Sequence, residues 1–223
     1  MKYPPVEVFV WGKLACFTRP EMKVERVSYE VMTPSAARGI LEAIFWKPEI
    51  QWQVREIHVL KPIRYFSILR NEVNSRASSS SAQRHLKGES AYYADEDRSQ
   101  RHTLCLRDVA YTIVANIALR PDVQEDEAKY RDQFRRRVSR GQCHSMPYLG
   151  CREFTASFGP EWPADIQRPN INVRLGRMLF DLDYQHDGRG TPRFFEADIQ
   201  EGVLRIPETL YRRESNDVSG RIK

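Results

Sequence analysis

Lys129, Arg136 and Arg140 stand seven and eleven residues apart, spacings that superpose on one face of a helix with 3.6 residues per turn. A second stripe of the same segment, Tyr130, Phe134 and Val138, has the i, i+4, i+8 spacing of a buried face. Arg131, Arg135, Arg136, Arg137 and Arg140 fall within ten residues, and Asp132 can neutralise at most one of Arg135 and Arg136. The planar guanidinium donates two parallel hydrogen bonds to a phosphate, which an ammonium cannot do. The stretch Glu127–Phe154 therefore has the chemistry of a clamp that holds a polyanion against a folded body. The net charge of +5 is mild, and it gains meaning from this clustering.

Other chemistries find little support. The four cysteines, Cys16, Cys105, Cys143 and Cys151, form no CxxC pair, so a zinc knuckle or thioredoxin-type site has no support and reduced thiols in or near the core are expected. His58, His85, His102, His144 and His186 have no metal-binding spacing, and neither a metal nor a cofactor is expected. Gly141 and Gly150 are isolated, and Gly188-Arg189-Gly190 is a lone GxG match, so no phosphate loop of the Walker type is present. Asp181, Asp183 and Asp187 read as a solvated edge. Met1 to Pro5 leads straight into a strand pattern, and no apolar run approaches the roughly 20 residues of a membrane span. A soluble cytoplasmic protein with no membrane partner is expected.

The elements that must position the clamp follow from periodicity. Val6, Val8 and Val10 alternate with Glu7, Phe9 and Trp11 in a first strand. The polar run Thr18 to Arg26 reads as a loop or short ribbon. Thr33 and Pro34 give an N-cap and a first helical position, Ala37, Ile40, Leu41 and Ile44 the buried face, and Pro48 a stop. Trp52, Val54, Ile57 and Val59 mark a second strand and Tyr65 to Leu69 a third. The polar stretch from Asn71 to about Leu104 reads as one long loop, and Asp108 to Ile117 as a strand before the basic helix, with a further strand after its glycine turn. This order predicts an α+β protein with a β-α-β-β-α-β plan, ferredoxin-like or RRM in topology, carrying one large insertion over residues 1–157. Residues 158–223 read as a small antiparallel β-rich domain and tail: Met178 to Tyr184 and Pro192 to Ala197 as strands, Asp198 to Gly202 as a turn, Val203 to Ile206 as a return strand.

Four strings carry a resemblance: CFTRPEMKVERVSYEVMTPSAARGILEAIFWKP (Cys16–Pro48), HVLKPI (His58–Ile63), RNEV (Arg70–Val73) and GQC…PYLGCREF (Gly141–Phe154). Together they resemble the CRISPR-associated Cas-five proteins of the d subtype (type I-C, or Dvulg), within the RAMP superfamily. The resemblance implies an RRM-like N-terminal domain with a small C-terminal β-sheet. It also implies two roles: binding the 5′ handle of CRISPR RNA beside the backbone and large subunits of a surveillance complex, where target double-stranded DNA lies near the handle, and cutting the precursor transcript at its repeats. That cut is metal-independent, made by the 2′-hydroxyl on the adjacent phosphate.

Such a cut needs a base at the 2′-hydroxyl, a cation at the phosphorane and an acid for the 5′-oxygen. The resemblance implies a tyrosine in the first helix and a Lys-His pair opening the second. Here those positions read Phe45 and Lys129-Tyr130, so only Lys129 is retained. Lys129 fits charge stabilisation or proton donation. Tyr130 either replaces the histidine or packs with Phe134 and Val138, and its stripe favours packing. Phe45 is a packing aromatic or a stacking surface for a base. His144, in the turn beside the basic helix, is the best substitute acid or base, ahead of His85 and His102. Arg136, Arg137 and Arg140 are expected to contact RNA phosphates, with Lys23, Arg26 and Arg38 as secondary contacts and Arg70 with Asn71 at the entrance of the long loop. Arg76, Arg84, Lys87, Tyr92 and Tyr93 mix cations with aromatics as single-stranded RNA requires. Two rivals remain: a handle-capping subunit without catalysis, and a DNA-binding protein supported by charge alone.

Overall fold

The computed structural model describes residues 3–75, 78–88, 93–163, 168–184 and 190–211. In chain order the elements are β1 (Val6–Ala15), β2 (Arg26–Val27), α1 (Pro34–Ile44), β3 (Ile50–Val59), β4 (Tyr65–Val73), α2 (Ser79–Leu86), β5 (Arg98–Leu119), α3 (Glu127–Ser139), β6 (Ser157–Gly159), β7 (Val173–Tyr184), β8 (Gly190–Gln200), β9 (Val203–Arg205) and a 3-10 turn (Glu208–Tyr211). The protein is a mixed α/β chain built on one curled sheet in the order β6-β1-β5-β3-β9-β8-β7, with β2 and β4 attached to β5. All the strand pairs run antiparallel except β2 with β5. Among the described residues no helix is long and apolar enough to cross a membrane.

The two long helices start where local chemistry favours a start. Thr33 caps α1 with its hydroxyl accepting from the Ala36 N–H at 3.3 Å, and Pro34 occupies the first turn, where no N–H is needed. Asp126 caps α3 by accepting from the Ala128 N–H at 2.9 Å. Ala37, Ile40, Leu41 and Ile44 of α1 are buried, as are Tyr130, Phe134 and Val138 of α3, so both predicted stripes face the core. They meet the sheet face that carries Val6, Val8 and Val10. The alternate residue Phe9 belongs to a separate small cluster with Leu60 and Ala110, against which Trp162 packs. Covered on both faces, β5 is buried without interruption from Val109 to Ile117.

Two expectations are corrected. The polar stretch from Asn71 to Leu104 is not a loop. It is the end of β4, then α2, then the first part of β5, paired from Tyr65↔Leu106 to Val73↔Arg98. β4 is half-buried at best, with Tyr65, Phe66, Leu69 and Val73 all exposed, so this arm never develops the apolar alternation by which a strand is read. The strand expected directly after the glycine turn is an isolated Tyr148↔Thr155 bridge followed by the three-residue β6.

Several contacts among the described residues tie the C-terminal hairpin β7–β8 to the rest, including the Leu179 N–H donating to the Tyr29 hydroxyl at 3.1 Å. β9 bridges β8 and β3. The Tyr211 hydroxyl donates to the Val54 carbonyl at 3.0 Å. Arg38 of α1 donates from Nε and Nη2 to Asp181 at 3.0 and 2.8 Å, and from Nη1 to Glu42 at 2.8 Å. Asp181 is therefore an anchor and not a solvated edge, and each nitrogen of Arg38 is engaged by a carboxylate, which ties the guanidinium to the fold. A double-mutant cycle of Arg38→Ala and Asp181→Ala in urea unfolding should give a coupling of about 1–2 kcal/mol. An additive cycle would contradict this anchor.

Candidate functional site

α3 carries distinct chemistry at its two ends. At the N-terminal end Lys129 is exposed and ion-paired with Glu125 one turn earlier, and its ammonium lies 5.7 Å from the centroid of the Tyr130 ring. Tyr130 is 3% exposed. Burial, reinforced by the charges of Glu125 and Glu49, holds the Tyr130 phenol above its ordinary value. The bond to Glu125 holds the Lys129 ammonium up and the Glu125 carboxyl down. At neutral pH this end of the helix presents the Lys129 ammonium to solvent, with the protonated Tyr130 phenol buried behind it.

The other end holds Phe45, Arg137 and His144. Phe45 is 2% exposed, and its carbonyl accepts from the indole N–H of Trp52 at 3.0 Å. Its ring is closed off from any base, so the stacking reading is replaced by packing. Trp52 in turn lies 4.8 Å from Phe134, centroid to centroid. Arg137 donates to the Ile44 carbonyl at 3.1 Å and sits 5.7 Å over the Phe45 ring, which makes it a half-buried link between α1 and α3. His144 is exposed, and its backbone N–H donates to the Ala43 carbonyl at 2.7 Å. The helix from Lys129 to Ser139 rises about 15 Å. Lys129 and His144 thus stand at opposite ends of α3, and the structure does not bring them together.

The arginines separate in the same way. Arg135, Arg136 and Arg140 are exposed and make no ion pair among the described residues. Arg131 is 3% exposed, paired with Glu127 at 3.1 Å and set 5.7 Å over the Tyr3 ring, so it belongs to the fold. Glu127, four residues earlier, was its signal in the sequence. Lys23 is exposed and free of ion pairs among the described residues. Arg26 is half-buried, donating to the Cys151 thiol at 3.2 Å and lying 3.5 Å from Glu72. The Cys16 thiol and, after it, the Arg26 guanidinium hold the Cys151 thiol below its ordinary value. Arg70 is paired with Glu72 at 2.7 Å and with Glu153, and Asn71 is exposed opposite Gln100 on β5. Arg84, Lys87 and Tyr93 are exposed near the end of the arm. His102 is exposed on β5 and His85 half-buried on α2, both far in sequence from Lys129. Arg76, Tyr92, His186, Asp187 and Gly188 lie outside the described residues.

Sequence reasoning missed the two carboxylates beside Lys129. Glu125 was readable as its i−4 partner. Glu49, in the turn between α1 and β3, is held by its carbonyl accepting from the Arg120 N–H at 3.0 Å, and its charge bears on Lys129 and Tyr130.

A protein-family model described as CRISPR-associated protein (Cas_Cas5) matches residues 6–206, which hold every strand and α-helix among the described residues. The chain belongs to the CRISPR-associated Cas5d family. It is 44% identical over 236 residues to the CRISPR pre-crRNA endoribonuclease Cas5d of Thermus thermophilus, covering 96% of this chain and 98% of that protein. It is 44% identical over 214 residues to the protein of the same name from Mannheimia succiniciproducens, covering 91% and 94%. Among solved structures, a CRISPR-associated protein superposes with a TM-score of 0.64 at 21% identity over 91% of each chain. The functionally uncharacterized protein SMU1763c from Streptococcus mutans superposes at 0.63 and 18%, covering 91% of this chain and 92% of that one. These two share the fold. In this Cas5d chain Lys129, Arg136 and Arg140 share one exposed face of α3, with Lys129 at its start and Arg135 about 100° around the helix from Arg136.

Proposed function

We propose that this Cas5d chain binds the repeat-derived 5′ handle of CRISPR RNA and cuts the precursor transcript by attack of a 2′-hydroxyl on the adjacent phosphate, without a metal. The observation that carries this reading is the near full-length match, at 44% identity, to two proteins named as CRISPR pre-crRNA endoribonucleases. The Lys129 ammonium supplies charge to the phosphorane or a proton to the departing 5′-oxygen. Tyr130 is a donor and not a base, because its phenol stays protonated at neutral pH. Arg136 and Arg140, with Arg135 beside them, hold the phosphates, and Lys23 extends the same contact. His144, remote from Lys129, acts on the RNA only as a contact at the far end of the helix.

The order β6-β1-β5-β3, all antiparallel with two helices on one face, supports reading residues 1–157 as a ferredoxin-like, RRM-type unit whose last strand runs two residues further, and 158–223 as a β-rich appendage. The natural setting is a cytoplasmic type I-C surveillance complex, with its backbone and large subunits as partners and target double-stranded DNA near the handle.

A second reading, a handle-capping subunit that does not cut, is favoured by Phe45, which is buried and lacks the hydroxyl the family resemblance implies. Repeat RNA cut at one position, with a scrambled RNA left intact, supports the first reading; binding of the repeat without cutting supports the second. Under both, Arg136→Ala with Arg140→Ala should flatten the log-log salt dependence of RNA binding by about 1.4, two phosphates' worth on a single strand. Anisotropy titrations from low to high salt measure it, and an unchanged slope would remove both residues from the RNA contact.

A further inference from the structure

Val6 and Val8 of β1 face the helices, so Glu7 between them faces the other side of the sheet. There β1, β5 and β3 set Glu7, Val114 and Glu56 side by side in register, and Asn116 follows on the same face of β5. With Tyr3, Pro5, Arg55 and His58 these residues line an open concavity of about 460 Å³, a volume in the range of small-ligand sites. Asn116 is 5% exposed, yet its side-chain amide has no hydrogen-bond partner among the described residues. The amide is not sealed from solvent, so its N–H donors and its carbonyl oxygen open into the concavity. A nearly buried amide that the fold leaves unpaired calls for a partner from outside. Glu7 is exposed and makes no ion pair among the described residues. His58, Glu56 and Arg55 are committed elsewhere. Arg168 donates to His58 Nδ1 at 3.0 Å, which leaves the ring proton on Nε2, and Nε2 donates to Glu56 at 2.7 Å. Glu56 also lies 3.7 Å from Arg205, and Arg55 is paired with Glu208. One amide and one carboxylate are therefore open to a ligand.

We propose that this concavity receives a single unstacked base of the bound RNA, held by Asn116 and Glu7. This rests on the RNA-binding reading above. An amide sets a donor beside an acceptor, the pattern by which asparagine meets the edge of adenine. The open carboxylate accepts from an exocyclic amino group, and it repels phosphate and the carbonyl oxygens of uracil. The base is therefore adenine, cytosine or guanine, in a single-stranded stretch where its edge is free. Val114 gives the site an apolar floor. Tyr3, on its wall, has its ring 5.7 Å from the guanidinium of Arg131, so the concavity adjoins the helix that carries Lys129.

An abasic scan along the repeat RNA, read by anisotropy, tests the site. At one position, loss of the base should weaken binding to the wild-type protein roughly tenfold, and uridine at that position should cost as much. Asn116→Val should bind the intact and abasic RNAs alike. It should melt no lower than wild type, because nothing among the described residues depends on its amide. Glu7→Ala, at an exposed strand position, should lose the discrimination against uridine, whatever the stability of Asn116→Val. A scan with no such position, or a penalty that both variants retain, would overturn the base site while RNA binding by α3 still stood. A wild-type protein that fails to bind the intact repeat RNA would overturn both.

Discussion

Lys129→Ala should slow cleavage of repeat RNA by about 10²–10³-fold while leaving RNA affinity within a few-fold of wild type. The side chain is exposed at the first turn of α3, and its pairing with Glu125 is a surface contact of the kind that contributes little to folding. Its removal therefore costs chemistry and not structure. Glu125 holds the ammonium above its ordinary value, so Lys129 stays charged throughout the neutral range. The rate should not fall between pH 7 and 9 through loss of this proton. Lys129→Arg separates the two uses of the cation. A guanidinium retains the positive charge but does not give up a proton. If the charge on the phosphorane dominates, arginine should restore most of the rate; if proton donation dominates, it should resemble alanine. Single-turnover assays on labelled RNA distinguish these outcomes, and a wild-type rate in Lys129→Ala would remove the residue from the mechanism.

Gly150→Ala should be the most damaging single change to the fold, destabilising it by about 4 kcal/mol or more. Gly150 sits at φ +84, and an added Cβ would lie 2.0 Å from the Cys16 carbonyl oxygen and 2.6 Å from its carbon. These are backbone atoms of a segment held in place, since the Cys16 N–H donates to the Leu149 carbonyl at 3.0 Å. No rotamer change relieves the overlap. Gly141 is the control. It also has positive φ, at +63, but nothing lies within 4 Å of an added Cβ. Gly141→Ala should therefore show only the backbone term, about 1–2 kcal/mol. Urea unfolding of the two variants measures the difference, and equal losses would contradict the close approach at Gly150.

What could be read from the sequence was what local chemistry encodes. Thr33-Pro34 and the Ala37–Ile44 spacing specify α1, and Tyr130, Phe134 and Val138 specify the buried side of α3. The arm of β4, α2 and β5 reads as a loop in the sequence because its outward faces are polar or exposed, which leaves no apolar period. Arg38 and Asp181 are separated by 143 residues, and nothing near either one announces the pairing. The cationic cluster was readable as a class, but its division was not. Arg131 and Arg137 are drawn inward by Glu127 and by the Ile44 carbonyl, while Arg135, Arg136 and Arg140 remain outside.

The most direct test of the central claim is a cleavage assay with purified protein and cognate repeat RNA in EDTA, with the new ends identified by mass spectrometry. The account predicts a single cut within the repeat, a 2′,3′-cyclic phosphate on the upstream fragment, and no cut when the nucleotide at that position lacks its 2′-hydroxyl. Intact RNA in EDTA, or fragments ending in a free 3′-hydroxyl, would contradict it.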